Sequence, residues 1–267
     1  MLTQVQAALD RISGMATPLQ NANGAGRAFE LFVMTGLAVR LPSMGFEVWL
    51  QRSDGSRILP TDPDRRFIQR GGKPTGIAPA AQGAGNSGSI AFRHGPVGTV
   101  WEIWNGILFT GRSGADHEID VAIVPKETGD ALRLTGGSPL GRPKVSIECK
   151  DVGTAGSVDE MRAFVARMYD LTYLDGHAPF LPYPAPPKFI HPGPPAHAGS
   201  SNEPGSTFRN ANSRAFNAIA RRTGFSSGAG RMTGYYFVRP YGGVLAGSVA
   251  AGTLLDEAAD WVAANCL

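Results

Sequence analysis

Two strand-like runs carry three charged residues whose types and spacing suit phosphoryl chemistry. In Lys144-Val-Ser-Ile-Glu-Cys-Lys150 the side chains alternate between faces. Val145, Ile147 and Cys149 therefore point one way, and Ser146, Glu148 and Lys150 the other. In His117-Glu-Ile-Asp-Val-Ala-Ile-Val124 the apolar set is Ile119, Val121 and Ile123, with Glu118 and Asp120 opposite. If the two strands are neighbours, Asp120 and Glu148 converge with Lys150 beside them. Two carboxylates and water make a hard-oxygen site for Mg²⁺ or Mn²⁺. Such an ion polarises a phosphoryl oxygen and lowers the pKa of a bound water. A lysine orients that water or neutralises charge growing on the phosphate. The same three residues would also make an ion-pair network at a sheet edge. The chain has only five lysines and nine glutamates, so chance supplies a Glu-x-Lys about 0.2 times. Glu148-Cys149-Lys150 is the one acid-x-Lys triplet in the sequence.

These residues need elements to position them. Residues 1–20 read as a short amphipathic helix, with Val5, Leu9 and Ile12 at helical spacing, broken by 21–24. Residues 26–41 are apolar almost all round and read as a buried helix in which Glu30 stands out. Strands are expected at 46–51, 67–70, 101–109, 117–124 and 144–150, with a glycine-containing loop before the last. The loop expected over 71–98 places Gly83, Gly85 and Gly88 in a G-x-G-x-x-G spacing. No apolar strand precedes it and no helix follows, so a dinucleotide fingerprint is excluded. Ser157-Val-Asp-Glu160 is a capping box that opens a helix with Val158, Met161, Val165, Met168 and Thr172 on one face. After a Pro- and Gly-rich excursion over 176–205, a second helix is expected over 207–222. Its stripe is Phe208, Ala211, Ala215 and Ile219, and its other face carries Arg214, Asn217 and Arg221. Strands at 234–240 and 242–248 and a helix at 253–264 complete a mixed α/β fold, a central sheet flanked by helices.

Asp120, followed after 27 residues by Glu148-Cys149-Lys150, resembles the D…ExK signature of the PD-(D/E)XK nuclease superfamily, the restriction-endonuclease-like fold. Ser113-Gly-Ala-Asp-His117-Glu-Ile-Asp120 is similar to the G-x-x-H-E-x-D approach of its Mrr-like members. Ile119 stands where the signature has proline, a residue the family often lacks. The resemblance covers about 26–172 in order of elements, and 234–248 more loosely. It implies a Mg²⁺- or Mn²⁺-dependent endonuclease acting on DNA, in restriction, phage defence or DNA processing. Asp120 and Glu148 would be metal ligands, and Lys150 would position the attacking water. Cys149 would offer its backbone carbonyl while its thiol packs in the core. Glu30 matches the Glu-bearing helix that precedes the hairpin in that family. It is either a second-metal or water-organising ligand or the partner of Arg27. His117 is either a phosphate contact or a support for the preceding turn.

Composition bounds the partners. Net charge is only +3, but residues 206–240 hold Arg209, Arg214, Arg221, Arg222, Arg231 and Arg239 and no acid, a pattern that suits a polyphosphate. Arg209, Arg214, Asn217, Arg221 and Arg222, with His117, are the candidate DNA-contacting residues; the alternative is a solvated cationic face. Two cysteines indicate no disulfide framework. No secretory signal or membrane span is visible, so a cytoplasmic protein is expected. No P-loop is present, so no nucleotide cofactor is expected. One nuclease domain over 1–267 is expected, its core about 26–172 plus 206–264. A single site cuts one strand, so duplex cleavage calls for a homodimer or a second binding event. Two other readings are a nuclease toxin held by an immunity partner and a DNA-binding module of the same fold without turnover.

Overall fold

Runs of β-branched and aromatic residues at period two dominate the middle of this chain, and they assemble into one sheet. The computed structural model describes residues 1–21, 25–69, 87–111, 113–136, 138–139, 142–171 and 214–267. Among these, seven strands form a mixed sheet in the order β2-β4-β5-β6-β7-β8-β9. They are β2 (Phe46–Gln51), β4 (Ser89–His94), β5 (Val100–Thr110), β6 (Asp116–Pro125), β7 (Val145–Lys150), β8 (Phe216–Arg221) and β9 (Arg239–Tyr241). Neighbours from β2 to β7 are antiparallel; β7, β8 and β9 are parallel. Two short strands, β1 (Leu19–Asn21) and β3 (Phe67–Gln69), pair separately.

Helices cover both faces. On one lie α1 (Leu2–Ser13), α2 (Ala25–Ala38) and α6 (Val249–Asn265), sharing a core with Val121, Ile123, Val145, Ile147 and Phe216. On the other lie α3 (Lys126–Thr135), α4 (Val158–Leu171) and α5 (Ser227–Tyr236), packed on Trp104, Ile119, Ala122, Val124 and Ile219. The expected α/β architecture, a mixed sheet flanked by helices, is therefore what the chain adopts. In α2 the residues Phe29, Leu31, Phe32, Val33, Met34, Leu37 and Ala38 are all buried, as an all-round apolar helix requires. The expected cap of α4 is present, with Glu160 N donating to Ser157 Oγ at 3.1 Å.

Several expectations are corrected. Residues 214–222 are not helical: Arg214 and Ala215 turn into β8, which is buried along its whole length between β7 and β9. A short apolar run covered on both faces has no period to betray it, so strand and helix look alike there. The strand expected at 234–240 is mostly α5, whose cap is Phe237 at φ +52°, and only Arg239–Tyr241 is extended. Residues 242–248 form turns in place of a strand, and α6 starts at Val249 behind a Ser248 cap. The first helix ends at Ser13, capped by Gly14 at φ +69°. Strand β4 lies within the stretch expected as a loop, and α3 occupies another expected loop. The 176–205 excursion, Gly83, Gly85, Thr172 and residues 207–213 lie outside the described residues.

Helix α3 owes its place to a buried ion pair. Arg133 Nη2 donates to Glu102 Oε1 and Oε2 at 2.7 and 2.6 Å, and Trp104 Nε1 donates to Oε2 at 2.9 Å. The two charged side chains are 1% and 0% exposed. Gly129 is required at this contact, because a Cβ there would lie 1.9 Å from Glu102 Oε2. Removing one partner strands a buried charge, so Arg133→Ala is expected to lose about 3–5 kcal/mol in urea unfolding. Adding Glu102→Gln should recover much of that loss; a cost under about 1 kcal/mol would show the pair to be dispensable.

Candidate active site

Strands β6 and β7 pair only through Val121–Ile147, Ala122–Ser146 and Ile123–Val145, and then part. Cys149, two residues past the last pair, must find a new acceptor for its N–H. The Asp120 carboxylate supplies it: Oδ2 accepts from Cys149 N at 2.7 Å. A buried donor left unpaired would cost about 1–3 kcal/mol, so this side chain ties the strands together where the backbone ladder no longer does.

The fork has a cause in β5. Gly106 stands opposite Asp120, between the pairs Asn105–Val121 and Ile107–Ile119, and adopts φ +61°. On either side of this point the alternation shifts phase: Val121 and Ile123 pack against α2, whereas Ile119 packs on the α4 face. The sequence pattern, which put Ile119, Val121 and Ile123 on one face, is corrected accordingly. Only glycine adopts this conformation freely, and a Cβ there would also lie 2.6 Å from Arg27 Nη1.

Glu148 projects from β7 opposite Cys149, as alternation requires, and is 3% exposed. Its Oε1 meets Lys150 Nζ at 2.5 Å. Its Oε2 accepts from Arg167 Nη1, on α4, also at 2.5 Å. The same Nη1 donates to the Glu118 carbonyl at 3.1 Å, so Arg167 bridges the fork. Helix α2 brings Glu30, which accepts from Arg27 Nη1 at 2.7 Å and from Asn105 Nδ2 at 2.9 Å. Asn105 Nδ2 also donates to the Asp120 carbonyl at 3.0 Å. The Arg27 pairing weighed for Glu30 is thus present, and Asn105 links Glu30 to Asp120. Among the described residues no three His, Cys, Asp or Glu side chains group to hold a metal ion. An ion here would draw on Asp120 and Glu148 together with main-chain oxygen and water.

Electrostatics mark Asp120 as the most perturbed acid of the group. Burial, and then the charge of Glu148, push its carboxyl up to about 7, with Glu30 adding and the Cys149 N–H and Lys150 opposing. Burial also raises Glu30, against the pull of Arg27. Burial alone would lower the Lys150 ammonium, yet Glu148 and then Asp120 hold it above its ordinary value. The Cys149 thiol, buried first and then faced by Asp120, is raised well above the usual thiol range. It packs in the α2 core and is no nucleophile at neutral pH.

The expected DNA-contacting residues divide. Asn217 is buried and accepts from Arg142 Nη2 at 2.5 Å. Arg221 is buried and engages both Glu160 oxygens and, at 2.6 Å, the Thr154 carbonyl. Both belong to the core because β8 is a central strand, and neither forms a nucleic-acid face. Arg214 is exposed but precedes β8, whereas Lys150 ends the parallel β7; a strand of that length separates the two by about 20 Å. Arg222 stays close, its N–H donating to the Lys150 carbonyl at 3.1 Å. Arg209 lies outside the described residues. His117 Nε2 is 2.7 Å from Asp170 Oδ2, and Ser113 Oγ donates to the same oxygen at 2.6 Å. The histidine thereby supports the turn before β6.

The sequence reading missed Arg167, Asn105 and Gly106. Asn105-Gly106 did carry a signal, a polar residue and a glycine interrupting the apolar run 101–109. Comparison with family models, with curated proteins and with solved structures gave no match.

Asp120 yields a pH test. Its carboxyl moves from an ordinary 3.8 to about 7 in the fold. Its contribution to stability is therefore fully present below about pH 4 and lost as pH rises through about 7. Asp120→Asn keeps an acceptor for Cys149 N–H and removes the cost of the charge. Chemical unfolding should show it more stable than wild type at pH 8 by a few kcal/mol, about 4 at most. It should also lack the wild type's decline between pH 4 and 7. Equal stability of the two at pH 8 would rule out the strained carboxylate.

Proposed function

We propose that this chain is a metal-dependent nuclease of the PD-(D/E)XK type, acting on DNA. One observation carries the reading. Two strands that fork beside a positive-φ glycine bring Asp120, Glu148 and Lys150 to one point. A sheet-edge ion-pair network has no use for a carboxyl held near 7 with a second carboxylate as its neighbour, whereas a cation site has.

The residues fit Mg²⁺ or Mn²⁺. The side chains aimed into the fork offer hard carboxylate oxygens, and the soft thiol of Cys149 is turned into the core. Asp120 and Glu148 would hold the ion, with the Cys149 carbonyl as the main-chain ligand the resemblance implies. When bound, the ion supplies Lewis-acid polarisation of a phosphoryl oxygen and acidifies a water. The protein's own groups do the rest. Cys149 N–H fixes the Asp120 carboxylate against rotation. Lys150, about one third exposed and held protonated by Glu148, can reach outward to orient the attacking water or meet charge growing on the phosphate. Glu30 is held by Arg27 and Asn105 and steadies Asp120 through the Asn105 amide. Arg222, beside Lys150 and more than half exposed, is placed to meet the adjoining backbone.

DNA as substrate, and action in defence or DNA processing, rest on the family resemblance and on cations at the fork. Duplex cutting would need two copies or two binding events, because one site serves one strand. Among the described residues no helix is long and apolar enough to cross a membrane.

The test is incubation with supercoiled, linear and single-stranded DNA and with RNA, in Mg²⁺, Mn²⁺ or EDTA. Nicking or linearisation of the plasmid with either ion and none in EDTA is expected. Asp120→Asn and Lys150→Met should each lower the rate at least about a hundredfold, the scale of losing a directly acting group. Wild-type rates in either variant would end the proposal. A protein that binds DNA but cuts none of the substrates would be a non-catalytic module.

A further inference from the structure

Arg167 is the fork residue that the reading above leaves without a task, and its geometry differs from that of the chain's structural arginines. Arg133 and Arg221 are each 1% exposed and engage a carboxylate through both of its oxygens. Arg167 is 24% exposed and uses one nitrogen alone, Nη1, shared between Glu148 Oε2 and the Glu118 carbonyl. Its Nη2 and Nε make no hydrogen bond to any described residue. Three N–H donors in a planar fork, reachable by solvent and beside two carboxylates, match the two oxygens of a phosphodiester.

Glu148 shows the other side of this arrangement. Both of its oxygens already carry a cation, Lys150 on Oε1 and Arg167 on Oε2. A divalent ion cannot claim Oε2 while the guanidinium holds it end-on at 2.5 Å. We propose that Arg167 occupies the metal's place on Glu148 and, as the ion takes that oxygen, turns to bind a phosphodiester oxygen of the substrate. This inference rests on the nuclease reading and adds to it a positioning residue with two alternative partners. Each partner is an anion, so the exchange conserves charge: the carboxylate passes from guanidinium to metal, and the guanidinium from carboxylate to phosphate. The α4 backbone need not move, because an arginine side chain has the length and rotamer freedom to swing.

The experiment uses Arg167→Met, which keeps the apolar stem, and Arg167→Lys, which keeps the charge. Mn²⁺ binding to the whole protein without DNA is measured by titration calorimetry. Binding of a short duplex is measured in Ca²⁺ across a salt series. Removing the competing cation should tighten Mn²⁺ about tenfold in Arg167→Met, the scale of one partly exposed ion pair. Arg167→Lys should stay within about twofold of wild type. The slope of log affinity against log salt should fall by about 0.9 in Arg167→Met, as loss of one phosphate contact requires. Cleavage by that variant should drop although its metal binds more tightly, a combination that a misfolded or loosened site does not give. Unchanged or weaker Mn²⁺ binding, or an unchanged salt slope, overturns the exchange while leaving the nuclease reading intact. Wild-type protein that binds no Mn²⁺, or binds it equally well as Asp120→Asn, overturns both.

Discussion

The hydrogen bond from Cys149 N to the Asp120 carboxylate is the contact on which the rest of the site depends. An antiparallel ladder normally satisfies its own N–H groups, and a ladder that stops inside a protein leaves donors to be met some other way. Here the stop falls where Gly106 lets β5 and β6 swivel, and a side chain replaces the lost backbone acceptor. Asp120 is consequently drawn toward β7, beside Glu148, into a setting where its charge is poorly tolerated without a cation. Geometry and electrostatics have one origin. The carboxylate that holds the fork is also the one that the fork strains.

The remaining charges fall into two kinds according to what surrounds them. Glu102 with Arg133, Glu160 with Arg221, and Asn217 with Arg142 are buried groups that pin helices and loops to the sheet. Each has a dense polar partnership, and taking one member away leaves an isolated charge or dipole in the core. Around the fork the partnerships are looser and shared: Arg27 serves Glu30 and Asn105, and Arg167 serves Glu148 and a carbonyl. Loosely held cations among crowded carboxylates are what an exchange with metal and phosphate would use. They are a poor design for rigidity alone.

What could be read from the sequence follows from where burial is one-sided. In β7 one face meets α2 and the other carries Glu148 and Lys150, so period-two alternation placed all three side chains correctly. The capping box at Ser157 and the apolar stripe of α4 were legible because a helix half-exposed to solvent shows its period. In β8 both faces are buried, alternation disappears, and Phe216-Asn-Ala-Ile-Ala-Arg221 reads equally well as a helical stripe. That misreading turned two core residues, Asn217 and Arg221, into an imagined DNA face. Helix α5 was hidden differently, since three glycines in Ser227–Tyr236 dilute the helical signal. Arg167 was invisible in principle: nothing local to α4 says that its partner lies on β7.

The lost arginine face changes the argument for a nucleic-acid substrate without removing it. Arginine counted along a segment is a weak guide, because a central strand can absorb its cations into buried pairs. Cations counted in space are a better one. Arg27, Lys150, Arg167 and Arg222 come from α2, β7, α4 and the end of β8, far apart in the chain, and meet around the two carboxylates. Burial would penalise the ionised acids in a neutral setting, and here it is offset by cations that remain partly exposed. A phosphodiester needs positive charge at its oxygens and a metal-binding acid pair at its phosphorus. The fork offers the two within one cluster, so the substrate class follows from the spatial arrangement of charge and no longer from the arginine-rich stretch.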